Sequence, residues 1–255
     1  MPRVKAVTPE DRLTLVEHLD ELRSRLIVSG AVFGVALVLC FWQNNLLLDL
    51  ANAPLPDDRD QLLTFGVAEP FTTTLMVSAY SALLLALPVL LYQIYAFVVP
   101  AFSDQERRVI TPMLLVVPLL FIAGVVFAYF VVMPAATEFL LNFNDDQFNV
   151  EVRARDYYGF FVTTLLAVGL IFQIPTAILA VTRLGIVTPD QLAENRRYAL
   201  LVIAIAAAAL PGVDPVTMLI EMVPLVILFE LSILLARVFG RADAGPVPEP
   251  STQER

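Results

Sequence analysis

Long unbroken apolar blocks decide what this chain can fold into. A bilayer core about 30 Å thick takes roughly 20 helical residues to cross, and a helix satisfies its own backbone hydrogen bonds. Six blocks stand out as candidate spans, at about residues 26–42, 73–99, 109–133, 157–181, 198–210 and 216–238. They are continuous and do not alternate, which favours helices over barrel strands. The chain is 58% hydrophobic and 16% charged, where a soluble domain carries about 25% charged residues. The expected fold is an all-α membrane protein of six transmembrane helices, forming one domain over residues 1–239. The stretch 240–255, "GRADAGPVPEPSTQER", is rich in Pro, Glu and small residues and reads as a disordered cytoplasmic tail.

Basic residues set the expected orientation, because Lys and Arg collect on the cytoplasmic side. Thirteen of the sixteen fall on one side of the six-span scheme: Arg3, Lys5, Arg12, Arg23, Arg25, Arg107, Arg108, Arg183, Arg196, Arg197, Arg237, Arg241 and Arg255. The other side holds Arg59, Arg153 and Arg155 among a larger number of acids. Both termini are therefore expected in the cytoplasm. The first block starts about 25 residues in, has no small-residue cleavage site after it, and reads as a retained span rather than a signal peptide. A net charge of −9 disfavours nucleic acid as a partner, and the single Cys40 cannot close an internal disulfide.

Prolines lie inside or beside the spans at positions 88, 100, 112, 118, 134, 175 and 224, so kinked helices are expected. The fifth block is only 13 residues, about 20 Å long, and a span so short calls for local thinning of the bilayer. Glu221 and Glu230 lie in the last block, nine residues apart, which puts them on opposite helical faces. Gln173 is a polar residue within the fourth block. No zinc-protease motif, nucleophile elbow or phosphate loop occurs, so the chain reads as a non-enzyme without metal or cofactor.

Two charged segments stand next to spans. Residues 8–26, "TPEDRLTLVEHLDELRSRL", begin with a helix-starting Thr-Pro-Glu-Asp and carry Leu15, Leu19, Leu22 and Leu26 on one stripe. The segment at about 9–25 is expected to be an amphipathic interfacial helix with an internal Glu21–Arg25 pair. "FSDQERRVI" joins the second and third blocks, and Ser103 with Glu106 there forms a capping box. Spacing alone assigns both segments structural work. The functional alternative is that Glu21 and Glu106 face one groove at the inner membrane surface. Two carboxylates there would hold two guanidinium groups of a basic peptide through charge-assisted forks.

Taken together, these motifs resemble the TatC family, the polytopic core of the twin-arginine protein translocase. The resemblance rests on "HLDELRSRL", "APL" (53–55), "EPF" (69–71), "ALPVLLYQIYAFVVPAFSDQERR", "FAYFVVMP", "PGVDP" and "LFE" ending at Glu230, in that order. It implies a concave, glove-like fold with short fifth and sixth helices. It implies Sec-independent transport of folded cargo across the prokaryotic cytoplasmic (inner) membrane, driven by the proton-motive force. The implied partners are twin-arginine signal peptides, single-span TatA/TatB-type proteins and further copies of the chain in a receptor complex. Glu21 and Glu106 match the signal-peptide-binding residues. Arg23, Pro54, Phe97, Arg107, Tyr129 and Asp214 match sensitive positions, and Gln173, Met218 and Glu230 match partner-contact or intramembrane polar ones. Many relatives carry Glu where Gln173 stands and Gln where Met218 stands, and a neutral amide cannot titrate as a carboxyl does. Glu221 inherits no role. A proton-coupled small-solute transporter is the alternative, and it calls for titratable groups at mid-depth and inverted repeats.

Overall fold

The structure is a computed structural model that describes residues 9–56, 62–98, 111, 113–144, 146, 147, 150–183, 186–209 and 214–239. These residues are helical almost throughout. In chain order the elements are α1 (Pro9–Trp42), α2 (Asn44–Asn52), α3 (Glu69–Val98) and α4 (Met113–Phe127). A π turn (Ala128–Val132) carries α4 into α5 (Met133–Asn142). Then come α6 (Ala154–Ile171), α7 (Ile174–Arg183), α8 (Pro189–Glu194), α9 (Arg196–Ala208) and α10 (Pro215–Phe239). Five stretches are long and apolar enough to cross a membrane: Leu19–Trp42, Glu69–Phe97, Leu114–Asn142, Ala154–Thr182 and Pro215–Arg237. The sixth candidate, α9, has 13 residues and reaches only about 20 Å. The end of the bundle where α1 begins is the near face. The end carrying residues 43–68 and 143–153 is the far face.

Four differences from the sequence reading have local causes. The expected interfacial helix and the first span are one continuous helix, because no Gly or Pro interrupts residues 10–29. Leu19, Leu22 and Leu26 are exposed along it, as a lipid-facing stripe requires. The third span does not stop at Met133. Pro134 lacks the N–H that would bond Phe130 and crowds that carbonyl, but Phe130 lies inside the π turn, whose wider coil absorbs the clash. The helix therefore runs on to Asn142. The fourth block breaks at Phe172–Gln173, where Pro175 denies the Ile171 carbonyl its usual helical partner. Finally, the last helix is not short: α10 has 25 residues. The tail after residue 239 lies outside the described residues, as do Pro211–Val213 of "PGVDP".

The largest buried cluster lies where α3, the π turn, α5 and α6 meet α2, around Ala51, Val77, Met133, Tyr157, Phe161 and Val162. A second cluster joins α9 and α10 through Ile203, Ala207, Leu225, Phe229 and Ile233. The tightest crossing is between α4 and α6. A Cβ on Gly124 would sit 2.9 Å from the Gly169 Cα, and one on Gly169 would sit 2.7 Å from the Phe121 ring. Small residues at such crossings let helix backbones approach where lipid offers no hydrophobic drive. Gly169→Ala is expected to destabilise the protein by about 1–3 kcal/mol through overpacking. Gly30→Ala, where nothing lies within 4 Å of the added atom, leaves stability unchanged. Thermal unfolding of the detergent-solubilised variants checks both.

Candidate functional site

At the near face, α1 meets the end of α3 through Arg25. Its guanidinium donates to Glu21 Oε1 from Nε at 3.0 Å and from a terminal nitrogen at 2.5 Å. The other terminal nitrogen donates to Gln93 Oε1 at 2.8 Å, and a longer contact of 3.4 Å reaches the Ala96 carbonyl. The Glu21–Arg25 pair expected from spacing is therefore present, but it does more than brace one helix. Arg25 lays a positive charge against the last turn of α3, where carbonyls lack helical partners and the dipole is negative. Glu21 is held beside it, about one-third exposed. Arg23 is exposed on α1, and Phe97 is half-buried one residue from the end of α3. Glu106 and Arg107 lie outside the described residues, as does the Ser103 capping box. Arg25 and Gln93 were each legible in the sequence, but nothing there showed that they touch.

At the far face, two of the positions that the resemblance marks as sensitive, Pro54 and Tyr129, lie in one hydrogen-bonded layer. Helix α2 ends with carbonyls that have no partner in their own helix. Tyr129 donates its hydroxyl to Leu50 O at 3.0 Å, Tyr157 to Ala51 O at 2.6 Å and Thr137 to Pro54 O at 3.0 Å. Tyr158 adds a bond to the Asn52 side chain at 3.0 Å. Pro54 and Tyr129 thus meet through α2, and the π turn is what aims Tyr129 there. The same face holds Glu69, a buried carboxylate at the start of α3. It accepts from the amides of Phe65 and Gly66 at 2.8 and 3.1 Å and from Arg153 Nε at 2.6 Å. Arg153 also lies over the Phe65 ring at 5.6 Å. Backbone bonds of Leu63 with Val152 and Ala154 complete this clasp between the two far-face loops. Glu69 was visible in "EPF"; Arg153 carried no signal in the sequence.

The remaining candidates separate. Asp214 is buried and accepts the Thr217 amide at 2.7 Å, capping α10. Gln173 donates to the Val117 carbonyl at 3.2 Å, beside the kink-forming Pro118 of α4. Tyr95 donates to Thr176 Oγ1 at 2.8 Å, and Thr176 donates to the Gln173 carbonyl at 2.7 Å. So Gln173 fastens α7 to α4, and a phenol from α3 joins the same chain. Met218 packs against the α9–α10 cluster. Glu230 is exposed and paired with Arg196 at 2.9 Å, a surface contact of little energetic weight. Glu221, by contrast, is 2% exposed. Glu21 at the near face is not brought to Pro54, Tyr129 or Asp214, which sit toward the far face.

These features define a multi-pass, all-helical membrane protein with a carboxylate–arginine site on one face and a hydroxyl-capped loop layer on the other. The chain matches the profile of the family described as Sec-independent protein translocase protein (TatC) over residues 17–224. Relatives bearing that description include one from Desulforapulum autotrophicum, 35% identical over 91% of this chain and 87% of its own length. Another, from Carboxydothermus hydrogenoformans, is 36% identical over 89% and 95%. A chloroplastic protein of Arabidopsis thaliana is 34% identical over 94% and 71%. A crystal structure described as the twin arginine translocase receptor TatC aligns with a TM-score of 0.73 at 32% identity, covering 88% of this chain and all of that one. The chain belongs to the TatC family and is a component of a Sec-independent protein translocase, not an enzyme. The solute-transporter alternative gains no support from these matches.

Tyr157→Phe is expected to lower stability by about 1–2 kcal/mol, because the Ala51 carbonyl is left buried without its donor. Thr137→Val acts in the same direction at Pro54. Glu69→Ala opens the far-face clasp and speeds proteolysis within residues 62–68, whereas Glu69→Gln, whose amide oxygen can still accept from the Phe65 and Gly66 amides but not also from Arg153, does so less. Unfolding curves and timed limited proteolysis read these effects.

Proposed function

We propose that this chain is the signal-peptide receptor and core of a twin-arginine translocase in the prokaryotic cytoplasmic membrane, with both termini in the cytoplasm. One observation carries the reading: Glu21 is fixed at the near face by Arg25, which is itself tied to the end of α3. A carboxylate held in that way offers a planar acceptor to an incoming guanidinium without first having to be ordered. Arg25 supplies the template, since it already binds Glu21 in the manner a signal-peptide arginine is to adopt. Glu106 is the second acceptor in this proposal, eight residues beyond the end of α3 in the sequence. Two carboxylates match two arginines, and Lys is a weaker substitute because it has no planar fork. Burying each guanidinium at the interface is favourable only when it finds such a partner.

The folded cargo stays at the near face while its signal peptide is held. Single-span TatA/TatB-type proteins are the proposed partners, with Gln173, Met218 and Glu230 as candidate contacts, and the proton-motive force drives passage. The residues 1–239 form the translocase domain. Arg23, Phe97 and Arg107 border the recognition surface, while Pro54, Tyr129 and Asp214 keep the far face in shape.

Photo-crosslinking of a twin-arginine peptide to the full-length protein in membranes tests the site. Glu21→Ala or Glu106→Ala is expected to weaken capture by roughly ten-fold, the equivalent of one charge-assisted hydrogen bond. The double variant captures a twin-arginine peptide no better than a twin-lysine one. Undiminished capture by the double variant overturns the assignment.

A further inference from the structure

Glu221 is the most deeply buried acid of the described residues, and neither of its oxygens has a hydrogen-bond partner. It sits on α10 seven residues from the capping Asp214, with Thr217 between them. Steps of three and four put the three side chains on one helical face. All three are buried, and each has an unpartnered oxygen: Asp214 Oδ2, Thr217 Oγ1 and both Glu221 oxygens. Thr217 differs in this from Thr163 and Thr182, whose hydroxyls are bonded to carbonyls of their own helices, and resembles Thr73 and Thr164.

Among the described residues, no cation pairs with this carboxyl. Among the described residues, the charge that acts on it is that of Asp214, of the same sign. Of the elements packed on α10, the π turn brings Tyr129, whose hydroxyl is bonded to Leu50. Helix α5 brings Glu138, which lines an open groove of about 470 Å³ with Asn142, Asn144 and Val216. The described side chains of α7 offer threonines and no charge. Helices α8 and α9 bring Asp190, Glu194, Arg196, Arg197 and Tyr198 toward the near end, where Arg196 is paired with Glu230 and Asp190 with Arg237. An unpaired carboxylate in such a place is too costly to persist. Glu221 is therefore the neutral acid here.

We propose that Glu221 is a reversible proton-binding site that opens to the far face by way of Thr217 and Asp214. The open groove lined by Glu138, Asn142, Asn144 and Val216 lies beside the first turn of α10. On release, the Glu221 O–H bond breaks and its proton passes to water drawn in along the unpartnered oxygens of Thr217 and Asp214, and from there to the far face. Uptake is the reverse. The site stands on this geometry, and only its coupling to cargo transport rests on the translocase reading.

Infrared spectroscopy of the full-length protein in oriented phosphatidylcholine vesicles tests the proposal. At neutral pH the protein is expected to show a protonated-carboxyl C=O band that is lost in Glu221→Gln, a near-isosteric change. Circular dichroism confirms that the variant keeps its helix content. Making the far-side medium alkaline removes the band reversibly, and Thr217→Val slows that response without removing the band. A difference spectrum without the band overturns the site. A band that yields only to the near-side medium, or to neither side, overturns the path. Coupling is read separately, in membranes that contain the partner proteins. Glu221→Gln is expected to keep twin-arginine peptide capture and lose most cargo transport, and wild-type transport overturns the coupling alone.

Discussion

A backbone carbonyl at membrane depth has no water to turn to, and this constraint organises the molecule. Several places where a helix stops expose such groups to side-chain donors. The region just past the end of α2 is met by the hydroxyls of Tyr129, Tyr157 and Thr137. The Val117 carbonyl of α4 is met by the Gln173 amide. The end of α3 is met by Arg25. The site residues are not decorations on a finished bundle. Tyr129 and Pro54 belong to one layer of such repairs: the Tyr129 hydroxyl meets the Leu50 carbonyl, and the Pro54 carbonyl is met by Thr137.

The same constraint explains how the two faces divide the work. The far face carries the irregular chain, so it gathers neutral donors and one buried ion-pair clasp, Glu69 with Arg153. The near face carries the proposed recognition carboxylate, and the Glu21–Arg25 pair there is only partly buried. Partly exposed pairs contribute little to stability, so the fold does not depend on this one. A fully buried Glu21–Arg25 pair would do the opposite, because breaking it would strand a charge.

Much of this was legible in the sequence. Apolar block lengths located every long helix, and the positions of Glu21 and Arg25 announced their pair. What the sequence hid were relations between distant positions. Arg153 looked like a stray outer arginine because its partner lies 84 positions away. Pro134 looked like a helix end because a π turn leaves no mark in composition. Glu221 inherited no role in the sequence, since depth along a helix does not say which side faces the protein. Gln173 invited a reading as a docking group, and nothing in the sequence indicated that its amide also bonds the Val117 carbonyl of α4.

The fastening between α7 and its neighbours has one more property. It is made from an amide, a hydroxyl and a phenol, none of which carries charge near neutral pH. A membrane potential does work only on charge that it can move across the bilayer. This joint is therefore electrically silent: it holds equally well in an energised and a collapsed membrane, and salt does not loosen it. Whatever a transmembrane voltage moves in this protein, it does not pull on the seam between α4 and α7.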